Sequence, residues 1–167
     1  QTCALPIYET ARKMLGACLC PRVGRADILL KEVGRDMTGK DTFHQNEVGV
    51  FFGEPDKKVK DPYFKGLGPD RTGCTFCGAC MVGCPVGAKN TLDKNYLYLA
   101  RRLGARIVPE TMVTGVRPVH GGYEVITHNT VGLFKKEKRY TARGVVFAGG
   151  VLGTLRLLGS CRAKGLL

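Results

Sequence analysis

Four closely spaced cysteines are the strongest chemical signal in the sequence. They follow the pattern Cys-x2-Cys-x2-Cys-x3-Cys-Pro, at Cys74, Cys77, Cys80 and Cys84. Bacterial ferredoxins use this spacing to wrap an iron–sulfur cluster, although in two-cluster ferredoxins the fourth cysteine binds the other cluster. A zinc site is one alternative. Another is a set of buried or disulfide-bonded cysteines that pack a glycine-rich loop. The run makes an iron–sulfur cluster one candidate, with both alternatives open.

Two later segments have residue types that suit a phosphate or a flavin. Lys89-Asn90-Thr91 precedes a predicted helix, whose free N–H groups could face an anion, although a plain helix cap is the alternative. The segment 145–154 has the pattern of a buried strand, a glycine turn and a helix start. This pattern suits a dinucleotide, but it also fits a tight strand–helix turn in any α/β domain. The G-x-G-x-x-G fingerprint is absent from the sequence.

The three histidines give no sign of a nucleophilic or acid–base centre. His44 lies in a polar loop, His120 in a predicted hairpin turn and His128 at a predicted strand end. No Asp or Glu pair stands at catalytic spacing. We therefore expect all three histidines to be bystanders, and the sequence assigns no catalytic residue.

Charge and composition exclude two classes of partner. The chain has 167 residues and a formal net charge of +12, but its basic residues are mostly scattered. The one dense run, 135–139, lies between two apolar stretches and predicts a solvated hairpin turn. No basic stripe with interleaved aromatics indicates a nucleic-acid binder, and no run of eighteen apolar residues indicates a membrane span. Eight cysteines without a visible signal peptide favour the reducing cytoplasm.

The elements that must position these residues form an α/β pattern with α+β character. Helices are predicted over 8–15, 27–37 and 92–103, with another opening at Thr154. Strands are predicted over 47–52, 106–108, 112–119, 123–128, 131–134, 138–140 and 144–148. The strands from 112 to 140 form an antiparallel meander, with a hairpin turn at His120-Gly121-Gly122. The glycine-rich stretch before the meander carries the cysteines.

The first seven residues, 1–7, read like the translation of a common sequencing adapter and are left out of fold reasoning. Cys3 is then not native. We therefore expect an incomplete polypeptide divided into three parts. Residues 1–7 are the adapter, 8–73 a helical and loop segment, and 74–167 the middle of a cofactor-binding domain.

Taken together, the motifs resemble the glucose–methanol–choline (GMC) oxidoreductase family, and most of all its bacterial cholesterol-oxidase-like branch. The matching segments are Asp61-Pro62-Tyr63-Phe64, the run 77–84, the run 87–97, Pro109-Glu110-Thr111 and the run 148–158. The resemblance implies part of an FAD-binding, Rossmann-like domain with an antiparallel meander and a Cys/Gly-rich loop. It also implies oxidation of an alcohol, with sterol-like alcohols as the candidate substrates, by hydride transfer to flavin.

The resemblance also implies which residues lie near FAD. Met112 and Val113 would meet the adenine. Ala148, Gly149 and Gly150 would pass close to the pyrophosphate or ribose, with Gly153 and Thr154 starting the helix behind it. Lys89, Asn90 and Thr91 would also lie near the cofactor. The family's N-terminal glycine fingerprint and its C-terminal catalytic His and Asn are not in the sequence, so we expect the chain alone to be inactive. A ferredoxin-like electron-transfer or metal-binding module is the alternative function.

Overall fold

A computed structural model describes residues 5–167, which fall into two compact units divided after Arg106. The helices are α1 (Leu5–Leu15), α2 (Arg25–Thr38), α3 (Tyr96–Arg102) and α4 (Gly150–Ala163), with short 3₁₀ helices at Ala79–Met81 and Leu92–Lys94. The strands are β1 (Cys18–Leu19), β2 (Glu47–Val48), β3 (Lys58–Val59), β4 (Arg71–Thr72), β5 (Thr111–Val119), β6 (Gly122–Asn129) and β7 (Glu137–Ala142). The mixture of helices and antiparallel strands confirms the predicted fold class.

The first unit has short, irregular elements. β1 pairs with β2 and β3 with β4, both antiparallel, and an isolated bridge joins Val50 to Lys89. The strand predicted over 47–52 is thus only partly formed. The hydrophobic core of the first unit is small, and Val50 and Ala88 are its buried apolar residues in the described part of the chain. Most of this unit is loop that is held by backbone hydrogen bonds.

Both predicted N-terminal helices form, with somewhat different ends. α1 begins at Leu5 instead of residue 8, and Pro6 lies in its first turn, where a missing N–H costs nothing. The rest of the predicted adapter segment, residues 1–4, lies outside the described residues. α2 ends at Gly39, whose φ of 67° is the left-handed conformation expected of a C-terminal glycine. Gly24 is the N-cap of α2 and donates its N–H to the Asp27 carboxylate at 2.7 Å.

The prediction of one continuous helix over 92–103 is wrong, because an α-helix forms over only part of this range. A 3₁₀ turn covers Leu92–Lys94 and the α-helix begins only at Tyr96. Between them, Asn95 has φ −128° and ψ −101°, and its side-chain oxygen accepts the Tyr96 N–H at 2.5 Å. An Asn side chain competes in this way for a backbone donor that the helix would otherwise use. The break separates Thr91 from α3.

The predicted meander is confirmed in the second unit. β5, β6 and β7 form a three-stranded antiparallel sheet in that order, with Val119 opposite Gly122 across the turn. A register shift lies between Val113 and Gly115. α4 packs on β5, where Val116 and Cys161 are buried and the Val116 N–H points at the Cys161 sulfur at 3.3 Å. This contact is the core of the second unit.

Three predicted strands are not formed. Residues 131–134 bend instead, because the Asn129 side chain accepts the Lys136 N–H and donates to the Phe134 carbonyl at 3.1 Å. Segments 106–108 and 144–148 join no ladder in the part of the chain that is described, and Val146 is 91% exposed. A strand exists only through hydrogen bonds to a neighbour, so apolar composition alone did not suffice. The basic run 135–139 is shared between a loop and β7, not confined to a turn.

Candidate cofactor site

A cavity of about 640 Å³ opens in the second unit between β5, the segment 145–149 and α4. Its volume lies within the usual range of small-molecule sites. Six of the predicted cofactor residues line it: Met112, Val113, Ala148, Gly149, Gly153 and Thr154. The structure thus brings together two segments that are more than thirty residues apart in the sequence.

The glycine turn leaves the start of α4 open. Gly149 is the N-cap of the helix and no side chain caps it. Gly150 is the first helical residue, with φ of 71°, a conformation that favours glycine. A Cβ added at Gly153 would meet no atom within 4 Å. The first turn therefore has no side-chain cap, and the dipole of such a helix start favours an anion.

The remaining walls of the cavity combine apolar and basic side chains. Val116, Val125 and Leu157 supply apolar surface that would suit a flat aromatic ring. Arg156 and Lys164 add positive charge, and neither forms an ion pair with any carboxylate among residues 5–167. The arrangement can take an aromatic ring on the apolar wall and a phosphate near α4.

The segment Lys89-Asn90-Thr91 lies in the first unit and is extended, not helical. Its burial alternates: Ala88 and Asn90 are buried, while Lys89 and Thr91 are partly exposed. The Asn90 backbone N–H donates to the Gly49 carbonyl at 2.8 Å. Thr91 occupies the N-cap of the 3₁₀ turn, but neither its side chain nor that of Asn90 makes the predicted capping hydrogen bond. Lys89 and Thr91 are therefore only partly accessible to solvent.

The side chains of this segment already have partners. Asn90 accepts a hydrogen bond from Arg71 and donates one to the Met14 carbonyl at 3.2 Å. The Lys89 ammonium donates to the Cys80 carbonyl at 2.8 Å. The Thr91 hydroxyl accepts from the Lys94 ammonium at 3.4 Å. Any role of Asn90 beside a cofactor therefore falls to its backbone and its neighbours.

The cysteine run surrounds a second cavity, of about 520 Å³, in the first unit. Its walls carry two aromatic rings, Phe52 and Phe76, and five cysteines: Cys20, Cys74, Cys77, Cys80 and Cys84. All described cysteines are unpaired, so the disulfide alternative is not seen among them. Within residues 5–167, no three His, Cys, Asp or Glu side chains are arranged as metal ligands. The thiols share a cavity without forming a ligand set.

Cys84 differs electrostatically from an ordinary thiol. Partial burial raises its pKa, but hydrogen bonds from the backbone N–H groups of residues 86–89 together lower the pKa by more than burial raises it. The pKa of Cys84 therefore lies below its usual value. One of these donors is the Lys89 N–H, at 3.4 Å from the sulfur. Backbone donors of this kind stabilise a thiolate.

Sequence reasoning missed two buried polar residues that organise the first unit. Arg71 is 1% exposed, and Asn95 is fully buried. Arg71 belongs to none of the motifs, and although Asn95 lies in the family-matching run 87–97, its residue type gave no sign that it would be buried. His128 is also less isolated than expected, because its ring lies 3.2 Å from the Thr114 hydroxyl and 3.8 Å from the Glu137 carboxylate. Across the described residues no helix is long and apolar enough to cross a membrane.

Comparison with known proteins decides the family. The GMC oxidoreductase family model matches residues 64–161, which is more than half of the chain. The chain belongs to the GMC oxidoreductase family. It is 46% identical over 170 residues to a cholesterol oxidase of Mycobacterium tuberculosis (strain CDC 1551 / Oshkosh), covering 98% of the chain. It is 42% identical over 171 residues to a cholesterol oxidase of Acinetobacter baumannii, covering 96% of the chain. The chain spans only 29% and 31% of the length of these two relatives. No solved structure gives a significant match.

Membership of the GMC oxidoreductase family implies FAD, and the residues of the second unit fit part of it. The cavity is roomy, its helix N-terminus is uncapped, and the glycine at position 153 leaves the space above the first turn free. An FAD pyrophosphate needs N–H donors and close backbone approach, which this turn supplies.

Proposed function

We propose that the whole protein containing this chain is an FAD-dependent oxidoreductase that oxidises an alcohol. The observation that carries the proposal is the cavity at the start of α4, which six of the predicted cofactor residues line. The family match of the chain supports the same conclusion. When bound, FAD supplies the hydride acceptor for the alcohol carbon.

We assign the residues of this chain to binding and orientation. Ala148, Gly149 and Gly150 bring backbone N–H groups to the pyrophosphate or ribose, with Gly153 and Thr154 in the first turn of α4. Met112 and Val113 line the adenine wall, as both border the cavity. Lys89, Asn90 and Thr91 form a second contact segment in the first unit. No residue of the chain is assigned as the catalytic acid or base.

For the substrate we propose a sterol or a similar alcohol. The support is the identity of 42–46% to two proteins named cholesterol oxidase, extending over nearly the whole chain. We further propose a reducing compartment, the cytoplasm, because all described cysteines are unpaired. Disulfides persist mainly in oxidising compartments.

The test is made on the purified whole protein. A yellow protein with flavin absorbance, which releases FAD on denaturation and is bleached anaerobically by a sterol, is the expected result. A colourless protein that does not bind added FAD would refute the cofactor proposal. Flavin that is reduced by other alcohols but not by sterols would refute only the substrate class.

A second candidate is an iron–sulfur cluster on Cys74, Cys77, Cys80 and Cys84, either beside the flavin or as the sole cofactor. Their shared cavity favours it, and the lack of a three-ligand arrangement among the described side chains disfavours it. Iron and acid-labile sulfide analysis of anaerobically purified protein separates the outcomes. Stoichiometric iron with sulfide would support the cluster, and bound zinc would support a zinc site. A protein that contains neither metal would support free thiols.

A further inference from the structure

Arg71 is a buried cation that forms no direct ion pair in the described part of the chain. It lies on β4 opposite Val59 and is 1% exposed. Among residues 5–167, no carboxylate lies within ion-pair distance of its guanidinium. The Tyr63 ring lies 5.6 Å from the guanidinium carbon and covers one side. A charge in this environment is costly, and burial accordingly lowers the pKa of Arg71.

The guanidinium joins two points on either side of Thr91. One terminal nitrogen, Nη2, donates both to the Asn90 side-chain oxygen and to the Lys94 carbonyl, the latter at 2.9 Å. Since Arg has only donors, the Asn90 oxygen must face it, and the Asn90 amide nitrogen is turned toward Met14. Asn90 in turn holds the extended segment in which Lys89 and Thr91 are partly exposed.

The hydrogen bonding of Arg71 is incomplete. Its Nε and Nη1 atoms are buried and have no hydrogen-bond partner among residues 5–167, and the same holds for the side-chain nitrogen of Asn95, which follows Lys94 directly. A neutral amide could make the two bonds to Asn90 and Lys94 at a smaller desolvation cost. Buried polar groups normally have hydrogen-bond partners, and an exception to this rule is typical of functional sites.

We propose that Arg71 is a positioning residue that sets the conformation of Lys89-Asn90-Thr91 for contact with FAD. This inference rests on the proposed function, in which that segment meets the cofactor. Arg71 does not touch the cofactor; it acts through Asn90 and the Lys94 carbonyl. Lys is not an equivalent replacement, because its ammonium is a point charge on a flexible stem and lacks the planar guanidinium that holds Nη2 between the two acceptors.

The test compares Arg71→Met and Arg71→Lys in the whole protein with wild type. The matched control is Arg102→Met, because Arg102 is an exposed arginine of the same unit that makes one backbone hydrogen bond, to Leu67 at 2.8 Å. FAD affinity, the visible absorption and circular dichroism of bound flavin, and thermal unfolding of the apoprotein are measured. We expect both Arg71 variants to lose about tenfold or more in FAD affinity, as for one lost charge-assisted hydrogen bond, and to alter the flavin spectrum at saturation. Arg102→Met should change neither.

A merely structural role would lower the unfolding temperature but leave the spectrum of saturated flavin unchanged. That result, or unchanged FAD affinity in folded Arg71 variants, would overturn the inference. If Arg71→Met does not fold, Arg71→Lys, which keeps the charge and the stem, decides by the same readouts. Failure of wild type to bind FAD would instead overturn the proposed function.

Discussion

A leucine at position 153 should block FAD while leaving the protein folded. Gly153 lies in the first turns of α4 and borders the cavity of the second unit. A Cβ at this position meets no protein atom within 4 Å, so the added side chain extends into the space assigned to the cofactor. Gly159 provides the matched control on the same helix, since its Cβ also meets nothing and it does not border the cavity.

The two substitutions should have the same effect on folding and different effects on binding. Gly is about 1 kcal/mol less favourable than Ala inside a helix, and Leu is close to Ala, so each variant should gain up to about 1 kcal/mol in unfolding free energy. At position 153 the side chain pushes the pyrophosphate away from the α4 amides. Losing one hydrogen bond to a charged group costs about 1.5–3 kcal/mol, which corresponds to about 10- to 100-fold weaker FAD binding.

The assay is FAD titration of the apo form of the whole protein by flavin fluorescence, with thermal unfolding of each apoprotein. Gly153→Leu should unfold no earlier than wild type and bind FAD 10- to 100-fold more weakly on the estimate above, whereas Gly159→Leu should bind like wild type. Equal affinities of the two variants would refute the placement of the pyrophosphate at α4. Loss of folding in Gly153→Leu alone would refute the claim that the space is free of protein.

Two further predictions concern stability. Asp61 accepts four backbone N–H groups, of Tyr63, Phe64, Gly66 and Gly68; partial burial raises the pKa of its carboxyl, but these donors outweigh burial and hold the pKa below its usual value. Asp61→Asn should therefore lower the unfolding free energy by about 2 kcal/mol at neutral pH. The difference in unfolding free energy between wild type and the variant should reach its full value above the unfolded-state pKa, near 4, and should shrink as the pH falls through the lower folded-state pKa. Urea unfolding at several pH values measures this difference, and a difference that is independent of pH would contradict the reasoning. Val116→Ala should cost about 2 kcal/mol because Val116 is 1% exposed in the core, while Val146→Ala, at a 91% exposed position, should stay within about 0.5 kcal/mol of wild type; similar losses for both would contradict the assignment of the core.

Local sequence determined the elements whose causes are local. The hairpin at His120-Gly121-Gly122 follows from glycines between two alternating strands, and it fixes the register of β5 and β6. Gly39 ended α2 because a left-handed residue closes a helix and glycine adopts that conformation without strain. The glycine turn before α4 was predicted for the same kind of reason. These residues meet their structural requirement within a few positions of the chain.

Tertiary structure decided what depends on distant partners. The strands predicted at 106–108 and 144–148 lack a neighbour among the described residues, and apolar composition cannot supply one. The burial of Arg71 depends on hydrogen bonds and packing between distant segments, and its bond to the Lys94 carbonyl spans 23 positions. The cavity likewise exists only because β5, the 145–149 segment and α4 fold together. The spacing of the four cysteines matched a cluster motif, but it did not determine where their thiols lie. The conformation of the loop that carries them sets the side-chain positions, and no three ligand side chains converge among the described residues.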